Sequence, residues 1–108
     1  MNVSARKDPI FLCHKLELAV ERLAVRPGPL PERLADLRLT LIAISPSHFP
    51  TNDLAREWAA IESALPDVKS AASIPEQTAC GIACALLDLR TRLRQWIADQ
   101  SRREGTAA

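Results

Sequence analysis

The sequence predicts a small all-α protein, an antiparallel bundle of four helices, and three observations carry that expectation. Eight prolines lie between amphipathic stretches rather than inside them, at positions 9, 27, 29, 31, 46, 50, 66 and 75. Proline lacks a backbone N–H and its ring clashes with the preceding turn, so helix interiors exclude it while first turns and connections accept it. The stretches between are rich in Leu, Ala, Arg and Glu, all good helix formers. No stretch alternates in the way a half-buried strand would, and no internal repeat is present.

The first helix is expected over 9–26, with Asp8 as its N-cap and Pro9 in the first turn. At about 100° per residue, Leu12, Leu16, Ala19, Val20 and Leu23 share one face. Phe11, Leu18 and Val25 form a second line on another side, with His14 among them, so this helix is apolar on two sides.

A stiff Pro-Gly-Pro-Leu-Pro link leads to a second helix over 31–44. Leu34, Leu37, Leu41 and Ile44 form its main stripe, while Ala35, Leu39 and Ile42 lie well round from it. A helix apolar nearly all round is buried on most sides, which places this one at the centre of the bundle or in an interface. The segment 45–52 is the longest irregular connection.

Helix three, over 52–65, opens at a cap from Thr51 or Asn52 and carries the stripe Leu54, Trp58, Ile61 and Leu65. Pro66 ends it, because the residue before a proline is pushed out of the α region. The segment 67–72 reads as a linker or a single helical turn. Ser73-Ile74-Pro75-Glu76 matches a capping box and opens a fourth helix over 75–101, striped by Ala79, Ile82, Ala83, Leu86, Leu89, Leu93, Trp96 and Ile97. Residues 1–7 and 104–108 are expected to fray, leaving one domain over the 108 residues.

The composition narrows the function classes. A net charge of +1 supplies no global field toward nucleic acid or an anionic membrane. Aromatics make up 4% of the chain, which leaves few platforms for stacking bases or sugars. No apolar run is long enough to span a bilayer, and His14 and Lys15 cut short the apolar patch that follows Arg6 and Lys7. Three cysteines, an odd number without a secretory context, point to a reducing cytoplasmic setting. The Ala/Arg/Leu/Pro-rich usage is compatible with a high-GC bacterium.

Motifs for catalysis are missing. The glycines at 28, 81 and 105 make no phosphate loop, and no His-Glu-x-x-His or nucleophile-elbow pattern occurs. The sequence therefore points to no enzyme, no cofactor and no metal. Cys80 and Cys84, four apart, could join Cys13 and His14 around zinc if the first helix packs near the start of the fourth. The plainer reading of these thiols is packing, since free cysteine behaves as a small hydrophobe.

Arg90 falls inside the stripe of the fourth helix, where its guanidinium either snorkels to water or meets an acid. Together with Arg92, Arg94, Arg102 and Arg103 it makes that helix basic and raises nucleic-acid binding as an alternative function. Asp88 and Asp99 reduce the field, and the proline-bearing loops do not fit a helix-turn-helix.

The favoured expectation is a protein–protein interaction module: an adaptor, chaperone-like factor, inhibitor or regulatory subunit. It rests on surplus apolar surface, because helices one and two carry two apolar sides where a bundle needs one. The expected contact residues are Phe11, His14, Leu18, Val25, Leu39 and Ile42, with His48 and Phe49 from the 45–52 loop. The expected partner is another protein or a second copy of this chain.

Overall fold

In a computed structural model, which describes residues 8–107 and the side chains of 8–103, the chain folds into four helices around one core. They are α1 (Pro9–Val25), α2 (Leu30–Leu41), α3 (Asn52–Ala64) and α4 (Glu76–Ala107), with 3-10 turns at Pro46–His48 and Ala71–Ser73. No strand occurs among the described residues.

The start of α1 follows from Asp8, whose carboxylate accepts the Phe11 N–H at 3.0 Å, with proline in the first turn. Its end and the link that follows are held by one side chain. Arg33 donates through Nη1 to the Leu23 carbonyl at 2.7 Å and through Nε to the Gly28 carbonyl at 2.9 Å. Gly28 itself adopts φ 108°, a conformation that a Cβ would strain. Replacing Arg33 with alanine should cost about 1–2 kcal/mol in urea unfolding, since two carbonyls lose a charged donor. Arg33→Lys should recover only part of the loss, because an ammonium lacks the planar fork that serves both acceptors.

Helix α2 ends at Leu41, short of the expected boundary at 44. Ile42 and Ala43 form a turn, the Ile44 N–H bonds to the Leu41 carbonyl, and the Ile44 carbonyl turns inward to accept Trp58 Nε1 at 3.3 Å. Ser45, preceding Pro46, is extended. That residue cannot continue the helix.

The capping box lies elsewhere than expected. Ser73 is the last residue of a 3-10 turn and donates its hydroxyl to the Ser70 carbonyl at 2.8 Å, so it does not cap α4. The carbonyl just ahead of α4 that accepts the first helical bond belongs to Pro75, from Ala79 N–H at 3.1 Å. A capping box does form in the 45–52 loop: the Ser45 hydroxyl accepts the Ser47 N–H at 3.3 Å, and His48 Nδ1 accepts the Ser45 N–H at 3.0 Å. At the other end, α4 runs to Ala107 rather than stopping near 101. Arg102, Arg103 and Glu104 all favour helix, and one glycine at 105 costs only about 1 kcal/mol there. Residues 1–7 and 108, expected to fray, lie outside the described residues.

Helix α4, not α2, is the centre of the molecule, because it packs on α1, α2 and α3 alike. The sequence suggested α2 because α2 is apolar nearly all round, yet part of that apolar surface faces solvent. Helices α1 and α2 run antiparallel. Arg22 bonds to Thr40 and Arg26 pairs with Asp36 across α1 and α2, and Glu57 pairs with Arg92 across α3 and α4. The shared core is Leu12, Leu16, Leu23, Leu34, Leu37, Leu41, Trp58, Leu86, Leu89 and Leu93 with their smaller neighbours, and no polar residue is fully buried among the described residues.

Candidate functional surface

Packing decides which of the surplus apolar residues remain available. On α2 the 3-10 turn at Ala71–Ser73 and the residues before it lie against the helix and cover Ala35, which is buried. They stop short of Leu39 and Ile42, which remain 81% and 74% exposed. Val68, on the turn that precedes the 3-10 segment, is also 81% exposed. Ala35, Leu39 and Ile42 are spaced by four and three residues, so they follow one another along one side of α2.

A hollow lies at each side of this stripe. The larger, of about 310 Å³, is lined by Glu32, Ala35, Asp36, Val68, Ala71 and Ala72: an alanine floor with a carboxylate rim. The smaller, about 50 Å³, is lined by Arg38, Leu41, Ile42, Trp58, Glu62 and Leu65. Arg38 is fixed there by donating to the Leu65 carbonyl at 2.8 Å. Asp36 is paired with Arg26 at 3.4 Å, so the rim carries both signs of charge. Nearby, Asp67 accepts the Ser70 N–H at 2.7 Å. That backbone bond holds its carboxyl below the usual range and fixes the turn that carries Val68.

The second line on α1 behaves differently. Val25 is 73% exposed, but Leu18 is half-buried, and Phe11 is only just exposed at 37%. The Phe11 ring takes the edge of His48 at 6.3 Å and the Lys15 ammonium at 5.8 Å, so much of it is already in contact. His14 is exposed. His48 is half-buried, with one ring nitrogen committed to the Ser45 N–H, which gives it a part in closing the loop. Phe49 is buried and stacked on Trp58 at 6.1 Å, so it belongs to the core rather than to a contact surface.

Leu39 and Ile42 thus stand together beside the two hollows, whereas Phe11, Leu18, Phe49 and His48 are spent largely on the fold. Val68 was missed by sequence reasoning. It lies between Asp67 and Lys69 in a segment too short for a helical period to assign it a face.

The cysteines do not converge. Cys13 is half-buried on α1, its thiol 3.8 Å from a Glu17 carboxylate oxygen, and Glu17 in turn meets Arg94 at 3.5 Å. Burial first, and then the Glu17 charge, push this thiol above its ordinary value. The first helix therefore presents Cys13 to the Arg90–Arg94 stretch of α4 rather than to its start. Cys80 and Cys84 are both exposed, so no neighbouring helix packs over them as the plainer reading expects. Among the described residues no three His, Cys, Asp or Glu side chains gather as a metal centre would need.

The arginines of α4 are largely matched: Arg92 pairs with Glu57, Arg94 with Glu17 and Arg102 with Asp99. Arg90 is half-buried, with its Nε enclosed and without a hydrogen-bond partner, and its charge acts on Cys13 of α1. No helix among the described residues is long and apolar enough to cross a membrane. Comparison with protein-family models, with curated proteins and with solved structures finds no match for this chain.

Proposed function

We propose that this protein is a small helical interaction module that holds another protein through the outer side of α2. The observation that carries this reading is the exposure of Leu39, Ile42 and Val68 beside two shallow hollows on one side of the molecule. Large aliphatic side chains held in solvent by a fixed backbone gain about 25 cal/mol per Å² when a partner covers them. The mixed rim of Arg38, Glu62, Glu32 and Asp36 would orient that partner, as polar rims do around apolar contact centres. Self-association is included, since a second copy could present the same side about a two-fold axis. The ion pairs along α4 favour this reading over nucleic-acid binding, because they already engage three of the five arginines that would meet phosphate.

The double variant Leu39→Glu/Ile42→Lys tests it. Both positions are exposed, so stability should stay within about 0.5 kcal/mol of the parent in urea unfolding. Binding should fall by at least about tenfold, read for self-association by light scattering across concentration and for a heterologous partner by parallel pull-downs from the native host. A parent that is monomeric at high concentration and captures the same proteins as the double variant would remove the proposal.

A further inference from the structure

The outer side of α4 poses a separate question, because free cysteine is among the most buried residue types and two of them are exposed there. Cys80 and Cys84 are four residues apart in unbroken helix, so their side chains are neighbours on one face. Close helix packing does not account for them: a Cβ placed on the intervening Gly81 would meet nothing within 4 Å. The face is open to solvent.

We propose that Cys80 and Cys84 form a two-thiolate clamp for one soft, two-coordinate cation of the Cu(I) type. The geometry selects this chemistry over its rivals. Side chains four apart on a helix have Cβ atoms about 5–6 Å apart. A disulfide needs them about 3.5–4.5 Å apart, so oxidation within one helix would have to distort it. An ion placed between the thiolates adds two metal–sulfur bonds, each about 2.3 Å in the zinc–thiolate case, and so spans the gap without moving the backbone. Zinc asks for four ligands in a closed site, and among the described residues no third ligand joins the pair. Thiolates are soft donors that favour Cu(I). Glu76 and Asp88 continue the row at the same spacing in both directions, and their charge draws a cation toward the thiols. On binding, each thiol gives its proton to solvent and forms one sulfur–metal bond, with no electron transferred.

The test uses the full chain, reduced and oxygen-free, titrated with Cu(I) against a coloured Cu(I) chelator of known affinity. One ion per chain is expected at an unchanged molecular mass. Cys80→Ser and Cys84→Ser should each weaken binding by at least about tenfold, because the second ligand then no longer acts intramolecularly. Cys13→Ser should bind as the parent does. Circular dichroism checks that the serine variants stay folded, as substitution at exposed positions allows. Equal affinity in the parent and the Cys80 and Cys84 variants would overturn the proposal, as would one ion per two chains or loss of binding in Cys13→Ser.

Discussion

Trp58→Ala is expected to remove about 3–5 kcal/mol from the stability of the fold, the usual cost of deleting a large buried aromatic. Trp58 is fully buried and stacks on Phe49, and its Nε1 donates to the Ile44 carbonyl at 3.3 Å. Three elements meet at this one side chain: α3, the loop after α2, and the end of α2 itself. A domain of this size has on the order of 5–15 kcal/mol in all, so the variant forfeits a large share of it. Urea unfolding followed by far-UV circular dichroism should show an earlier midpoint at an unchanged slope. Trp58→Phe separates the two contributions. It keeps most of the ring volume but leaves the Ile44 carbonyl buried without its donor, which should cost about 1–3 kcal/mol. A Phe variant as stable as the parent would show that the hydrogen bond contributes nothing.

The same tryptophan shows where the sequence is legible. Its place in the stripe Leu54, Trp58, Ile61 and Leu65 follows from spacing alone, and all four are buried. The early end of α2 does not follow from spacing, because Ile42 and Ile44 continue an apolar pattern that looks helical. What ends the helix is a tertiary hydrogen bond to a residue fourteen positions away, together with the extended residue before Pro46. Capping shows the same limit. Ser45 and His48 make the box while the better-looking Ser73 and Glu76 do not, since Pro75 already supplies the fixed backbone that enters α4. A local motif states which bonds are available, and the surrounding chain selects among them.

Surplus apolar surface was legible as a quantity but not as a location. Helical periodicity identified Leu39 and Ile42 as lying off the main stripe of α2, and both remain in solvent. It treated Ala35 in the same way, yet the 3-10 turn near Ala71 covers that residue, because a short segment without a period came to rest on it. For the same reason Val68 carried no signal. On α1, Phe11 and Leu18 stood on a second apolar line, but the 45–52 loop brings His48 against Phe11. Faces are set by single helices and can be read from one stretch of sequence. Which faces are left over depends on how the connections fold back, and connections have no repeat to read.

Leu89→Ala is expected to cost about 2–5 kcal/mol, and it tests the placement of α4 at the centre. Alanine is the better helix former, so α4 itself gains slightly from the change and any loss must come from packing. Leu89 is fully buried within the core shared by all four helices, with Leu86 and Leu93 on the same stripe. Surroundings fixed from several sides collapse poorly into a cavity, which moves the cost toward the upper part of the range. Leu87→Ala is the matched control, two residues away on the same helix but only just exposed, and it should shift stability by about 1 kcal/mol. A difference of about 3 kcal/mol between the pair would separate their thermal midpoints by roughly 12–24 °C, given about 4–8 °C per kcal/mol for a domain of this length. If the two variants melt together, the helices do not converge on α4, and α2 regains its claim to the centre.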